Sequence, residues 1–542
     1  MTKKWILPLL AFLLCTAAGY RIRQYNVPSA GTGIPVPAQV VLTLVTDTTR
    51  DRPVRLEEDG VFLMSANAWR RGLINIKSKL ASTLKSGGRV RCDDNVACEW
   101  LGQNVDAAGP DDADVVVGSA QYWPDEATPD VSDVSLSTGE MRIVIPLISS
   151  RKHGLIGGQI SSTGAPINLT SGSTRRDYLL ASNDLEDFVL GLLTKKTHQV
   201  RQITGPAKRR ADQLAVDLEY ADANSVFLSV LKYGSLVCVL FALFGRAFPL
   251  RILLLTMSGV LIAAASSTLA ITVTPNVTGY MLGTILGFVF CVIGWKFAPQ
   301  NGIGLLGGCL LADLLTGGYL GSYAGLGANP VIGARYYGVG NELSALLIGA
   351  VLALHITNLS QHVVAVGIAA LLIGHPGFGA NGGDMIAILI GILVFLVLHG
   401  GKSALLIALG VVTAVTAVVV WDAFLVPSSM QSHIGRLVAS AGSGVFELLS
   451  SKASAHIRLM STSAWGVTAL ISLVWWVIRY KHRQGKKPDL GECLALPLFL
   501  LNDSGPVSLT LFTIVAMSCD NATAPKNTWA WITKHAGALR HK

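Results

Sequence analysis

Charge is the scarce ingredient of this chain: Asp, Glu, Lys and Arg make up 14% of its 542 residues, against about 25% in ordinary soluble domains. The shortage is uneven. The first third is polar and mixed in sign, whereas long stretches after Ser225 carry no charge at all. With 51% hydrophobic residues, these stretches exclude a single soluble domain, since one buried core helix would account for one such run and not for a series. Cysteine is also sparse. The eight cysteines show no metal-ligand spacing, and no P-loop or dinucleotide-binding glycine pattern is present, so neither a metal nor a cofactor is expected. Acidic residues are outnumbered, giving a net charge of +9. Beside apolar runs that excess reads as the positive-inside rule and not as nucleic-acid binding.

What is present divides the chain into a leader, a polar segment, a hydrophobic half and a tail. Residues 1–20 carry Lys3 and Lys4, then the apolar run Trp5 to Leu14, then small residues, as in a secretory signal or a short signal anchor. Residues 21–210 read as an extracytoplasmic α/β domain, with strand candidates at Val40–Val45, Asp114–Gly118 and Arg142–Leu147. Within it, Cys92 and Cys98 either close a small disulfide loop or remain free thiols. Residues 211–520 form a helical transmembrane domain, and 521–542 a tail. Apolar runs of about 18 residues or more are long enough to span a bilayer. Spans are expected near 226–247, 251–273, 278–298, 302–321, 342–358, 362–375, 384–400, 402–424, 464–480 and 491–518, about ten in all and eleven with the leader. The expected fold is thus a polytopic helical bundle in a bacterial cytoplasmic membrane, with residues 21–224 outside. That count puts the cluster Arg479, Lys481, Arg483, Lys486 and Lys487 inside, as the charge rule requires. Between Ser428 and Ser463, apolar residues at near-helical spacing suggest an amphipathic helix on the outer membrane surface.

Three polar motifs interrupt the apolar half. Gly333-Ala334-Arg335-Tyr336-Tyr337-Gly338-Val339-Gly340-Asn341-Glu342 opens a span. It reads either as a helix cap with a dipole-favoured carboxylate or as a set of donors and acceptors for a ligand. His375-Pro376-Gly377-Phe378-Gly379-Ala380-Asn381-Gly382-Gly383-Asp384 precedes another span and is either an anion cradle or a turn. Asn502-Asp503-Ser504-Gly505-Pro506 lies inside the last span, where Gly and Pro should break the helix. Irregular backbone at membrane depth persists only beside protein or water, and an ionisable group there marks a functional site by default. Asp313 is a weaker member of the same set.

These motifs, together with His433-Ile434-Gly435-Arg436, resemble a family of large polytopic membrane proteins of Gram-positive-type bacteria for which no activity is established. Members of that family commonly carry an outer domain similar to the alkaline-phosphatase superfamily. Leu169–Arg176 with Asn183-Asp184-Leu185 looks like the late segment of that domain, and Asp47 falls where its first metal-binding aspartate would be. The pattern departs from that superfamily in having no convincing nucleophile, Ser65 being a poor one, and no Asp-His metal pair. The resemblance therefore implies a degenerate, non-catalytic relative.

The leading expectation is a transporter or flippase for a lipid-linked or otherwise anionic envelope substrate, embedded among membrane lipids. Asp503 and Glu342 would couple transport, and Arg335 or Arg436 would hold the anionic headgroup. The alternative is an envelope polymerase or ligase acting on a polyprenyl-phosphate substrate, with Glu342 or Asp384 as general base; a scaffold without catalytic function is the third reading. The candidate site comprises Arg335, Tyr336, Tyr337, Asn341, Glu342, Asn381, Asp384, His433, Arg436, Asn502, Asp503 and Ser504. All functional readings expect these groups to share a water-accessible cavity.

Overall fold

Short β-branched runs favour pleated strands, and in the computed structural model those between residues 39 and 162 pair into one mixed sheet. The structure describes residues 6–26, 31–32, 39–45, 61–85, 90–92, 95–101, 115–120, 140–146, 155–162, 165–171, scattered residues between 174 and 191, 200–203, 211–224, 226–243, 248–270, 302–327, 329, 331, 336–353, 359–399, 402–425, 445–482, 486–502 and 504–519, besides 285, 289 and 438. The chain divides into two units. One comprises residues 24–222 with 329–336, and the other holds 1–23, 223–328 and 337–542.

In the first unit, Gln39–Val45 lies between Val115–Ala120 and Glu140–Pro146, parallel to both. Val90–Cys92 continues the parallel part on one side. On the other, Leu155–Ser162 and then Val61–Ser65 add antiparallel strands. Helix Ala66–Lys85 sends Ile76 and Leu80 into the same core as Val40, Leu42, Val117 and Ile143. Cys92, ending one strand, is disulfide-bonded to Cys98 of helix Asn95–Leu101. A second sheet of four short strands is antiparallel, with Leu169–Ser171 between Val200–Ile203 and Arg176–Asp177. There the buried Asp184 accepts from Ser171 Oγ and from the Ala181 amide, each at 2.7 Å, so the segment singled out in the sequence is pinned by its own carboxylate. Arg142 is a buried cation on a central strand. Desolvation holds its guanidinium below the usual arginine value, with the Glu140 charge acting in the opposite sense.

The second unit is built of apolar helices. Asn341–Leu352 packs against Gly505–Cys519, Gly382–His399 against Leu490–Leu500, Phe248–Ala270 against Gly302–Thr316, and Ala464–His482 against Val226–Leu243. Large apolar side chains lie outside as well as inside, and some polar ones are enclosed. Ser344, Asp384, Thr468, Ser472, Ser508, Thr510 and Thr513 are wholly buried, while Val397, Leu406 and Leu425 are about 70% exposed. Trp476 Nε1 donates to Thr513 Oγ1 at 2.9 Å, and Thr510 Oγ1 to Thr468 Oγ1 at 3.0 Å. At one turn Arg479 bridges Asp489 and Glu492, at 2.7 and 2.9 Å. Those two acids form the capping box that starts helix Leu490–Leu500.

The expected spans are not a row of full-length helices. Among the described residues two helices, 220–241 and 382–399, are long and apolar enough to cross a bilayer, and a third if the pair 453–462 and 464–481, bent by 93°, counts as one. Several others have 10–17 residues. The physical reason is local, because the Gly, Pro and Asn motifs end helices that hydropathy alone would continue. Thus 302–321 ends at Thr316 and resumes as the short turn Leu320–Tyr323, 342–358 is described as helix only to Leu352, and 491–518 is two helices. The amphipathic segment is helical over Val445–Thr462. Span 278–298, apart from Ile285 and Val289, and Asp47 lie outside the described residues.

Candidate functional site

The site is assembled where three helices begin. Asn381 occupies the cap position of Gly382–His399: its Oδ1 accepts from the Asp384 amide at 3.3 Å and its carbonyl from the Met385 amide at 3.2 Å. Asn341 is the first residue of Asn341–Leu352, and its carbonyl accepts from Ser344 Oγ at 3.1 Å. The third start is created by the break at 501–504, where Ser504 precedes Gly505–Cys519 and its carbonyl accepts from the Val507 and Ser508 amides at 2.9 and 3.1 Å. Each start presents backbone N–H groups and the positive end of a helix dipole to the same region.

Asp384 is the hub. One carboxylate oxygen accepts from Ser344 Oγ and, at 2.7 Å, from Asn381 Nδ2; the other accepts from Asn502 Nδ2. Asn381 Nδ2 also reaches Asn341 Oδ1 at 2.8 Å and the Val339 carbonyl at 3.2 Å. Asn502 Nδ2 donates to Ser508 Oγ at 3.0 Å, and Asn341 Nδ2 donates to Ser504 Oγ. Side chains from all three sequence motifs therefore join one hydrogen-bonded network. Exposure grades across it. Asp384 is 0% accessible and Asn381 and Asn502 under 5%, whereas Asn341 and Ser504 are half-buried, as are Tyr337 and Glu342 near Asn341 in the chain. The hub is closed off and the network opens on its Asn341–Ser504 side, which corrects the expectation of a water-accessible cavity around every member.

Backbone packing fixes this arrangement. The Gly338 amide donates to the Gly317 carbonyl at 3.2 Å and the Val339 amide to Gly379 at 2.7 Å. Gly338 has φ +80°, and a Cβ there would lie 2.2 Å from the Gly379 carbonyl oxygen. Ala380 holds φ +50°, a left-handed conformation unusual for a residue with a side chain, directly before Asn381. Beside the break, His456 of helix Val445–Thr462 packs edge-on against Phe499, with ring centroids 4.7 Å apart, and its ring borders Gly505. His375 stacks on Trp421 at 5.2 Å while its Nδ1 accepts from the Gly377 amide.

Of the twelve candidates, Asn341, Asn381, Asp384, Asn502 and Ser504 are brought together. Tyr337 and Glu342 lie in the same stretch of chain as Asn341, Glu342 in the first turn of the helix. Tyr336 belongs to the other unit. Arg335, His433, Arg436 and Asp503 lie outside the described residues. Asp313 is corrected: it accepts from the Leu320 and Gly321 amides at 2.7 and 3.1 Å, tying down the turn that follows its own helix. Ser344 and Ser508 were missed. Their signal was present for one of them, since Asn341-x-x-Ser344 repeats the Asn381-x-x-Asp384 spacing at a helix start. Among the described residues no group of three or more His, Cys, Asp or Glu is placed to hold a metal. No protein-family model, curated protein or solved structure matches this chain.

Proposed function

We propose that this chain is a multi-pass protein of the bacterial cytoplasmic membrane, with residues 21–224 outside, that transports or flips a lipid-linked or otherwise anionic envelope substrate and uses Asp384 as its coupling carboxylate. The supporting observation is the enclosed Asp384 carboxylate at the meeting of three helix starts, one of them made by a break in an apolar helix. Discontinuous helices of this kind build binding sites in secondary transporters, because their ends direct partial charges at substrate or ion. Membrane insertion is supported by the large apolar side chains exposed on the helices, Val397, Leu406 and Leu425 among them, while the buried Thr468, Thr510, Thr513 and Trp476 are hydrogen-bonded to one another inside. In this reading the closed hub is an occluded state, and the half-buried rim at Tyr337, Asn341, Glu342 and Ser504 is where substrate enters.

The same rim is what an envelope transferase would use, with Glu342 in place of Asp384 as the reactive carboxylate. Purified protein reconstituted in liposomes with a fluorescent polyprenyl phosphate separates the two. A transporter moves the probe between leaflets, read by dithionite quenching, and Asp384→Asn abolishes the movement. Unchanged movement in Asp384→Asn defeats the coupling role. Product formation from a lipid-linked saccharide in detergent, without any gradient, favours the transferase.

A further inference from the structure

Lys232 is an ionisable side chain in an improbable place. It is the seventh of the 18 residues in the apolar helix Val226–Leu243, where a charge is costly and marks a functional position by default. The side chain is half-buried, and its ammonium lies 5.3 Å from the ring centroid of Tyr233. Among the described residues no carboxylate forms an ion pair with it. Tyr233 in turn forms part of the wall of a groove of about 590 Å³ between helices Val226–Leu243 and Phe248–Ala270. Val226, Val230, Val237, Leu253 and Thr256 also line the wall, which is almost wholly apolar. The groove lies on the outside of the bundle, as Val226 and Tyr233 are each more than half exposed.

We propose that this groove is a binding site for one anionic phospholipid of the surrounding bilayer, an acyl chain lying along the wall and the phosphate reaching the Lys232 ammonium. Apolar lining accounts for the chain and would accept any lipid; the cation accounts for selection by headgroup. A lysine stem can run along apolar surface while its charged end meets a phosphate or the interface, and the Tyr233 ring holds that end at the rim by a cation–π contact. The site rests on membrane insertion and not on transport. It shares no residue with the Asp384 network.

The test is native mass spectrometry of the full-length protein in mild detergent, titrated with phosphatidylglycerol or phosphatidylcholine. Wild type should retain one phosphatidylglycerol in preference to phosphatidylcholine. Lys232→Gln should lower that preference about fivefold, the order expected for one lysine near an anionic headgroup, and Lys232→Arg should restore it. Val230→Trp fills the groove without changing charge and should reduce retention of both lipids, with an unchanged melting temperature showing that the fold survives. Equal retention of the two lipids by wild type, or an undiminished preference in Lys232→Gln, overturns the proposal. Displacement of phosphatidylglycerol by equimolar polyprenyl phosphate also overturns it, because the groove would then be a substrate site. Asp384→Asn should leave lipid retention unchanged, so loss of transport and loss of this site are separable.

Discussion

Asp384→Asn should cost little stability and all of the coupled activity, and the hydrogen bonds around the hub set the first of those magnitudes. Three donors converge on the carboxylate, and each has a second acceptor at hand. Ser344 Oγ is 3.1 Å from the Asn341 carbonyl, Asn381 Nδ2 is 2.8 Å from Asn341 Oδ1 and 3.2 Å from the Val339 carbonyl, and Asn502 Nδ2 is 3.0 Å from Ser508 Oγ. In the amide variant, the retained oxygen still serves Ser344 and Asn381. The new NH₂ group meets the NH₂ of Asn502. Turning the Asn502 carboxamide removes that donor–donor contact and gives up its 3.2 Å bond from the Ser504 amide. The net loss is one buried hydrogen bond, about 1–3 kcal/mol. Asp384→Leu removes every acceptor at once and leaves an amide N–H of Asn502 without a partner, so its loss should be clearly larger. Denaturant unfolding in nanodiscs measures both variants, and the liposome assay measures movement of the probe. If Asp384→Asn is as unstable as Asp384→Leu, the hydrogen-bond reasoning is wrong. If it is stable and fully active, the charge is not used.

Further outcomes follow from the backbone and the packing around the site. Gly338→Ala places a Cβ 2.2 Å from the Gly379 carbonyl oxygen and adds about 1–2 kcal/mol of left-handed strain, so its melting temperature should fall and the probe should move more slowly. Ala380→Gly relieves φ +50° at the neighbouring position and should change stability by no more than about 1 kcal/mol, in the opposite direction. Replacing Cys92 and Cys98 by Ser opens a loop with sequence separation 6 and should lower the stability of the sheet-containing unit by about 2 kcal/mol; intact-mass analysis after alkylation, with and without reductant, reports the bond directly. Thr513→Val removes the acceptor of the Trp476 indole N–H and should cost about 1–3 kcal/mol, read by thermal unfolding with Trp476→Phe as the paired control.

Sequence made the starts and breaks of the apolar helices legible, because both are local chemistry. Asn381 three residues before Asp384 is a cap at a helix start, and Asn-Asp-Ser-Gly-Pro cannot continue a helix, so the last apolar run had to divide near Asn502. Which of these polar groups meet was not legible. Ser344 and Asp384 are 40 positions apart, and Asp384 and Asn502 are 118 apart, and no periodicity within a helix records a contact over that distance. Asp313 shows the same limit from the other side. As an acid within an apolar run it read as a weaker counterpart of Asp503, yet it finds two backbone amides seven and eight residues onward. Hydropathy likewise overestimated helix length, since glycine adds little polarity to a window average while ending a helix at Gly317 and Gly318, both with positive φ.

The shortage of charge and the position of the network have one physical origin. Under the proposed membrane insertion, a side chain that faces lipid finds no hydrogen-bond partner there, which accounts for exposed positions such as Val397, Leu406 and Leu425 being apolar. Polar groups are tolerated only where another helix supplies a partner. Thr468 with Thr510 and Trp476 with Thr513 each solve that requirement for a pair. Around Asp384 the pairs merge, because three helix ends leave backbone groups to satisfy in the same place and the side chains that satisfy them then face one another. A single paired polar residue stabilises a helix contact, whereas a network of amides and hydroxyls around one carboxylate can re-pair in more than one way. The Asn502 carboxamide, with Asp384 and Ser508 on one side and the Ser504 amide on the other, is the member able to exchange partners by a half-turn about its own bond. It joins the start of helix Gly505–Cys519 to Asp384, so in the proposed transport cycle a shift of that helix start would exchange these partners.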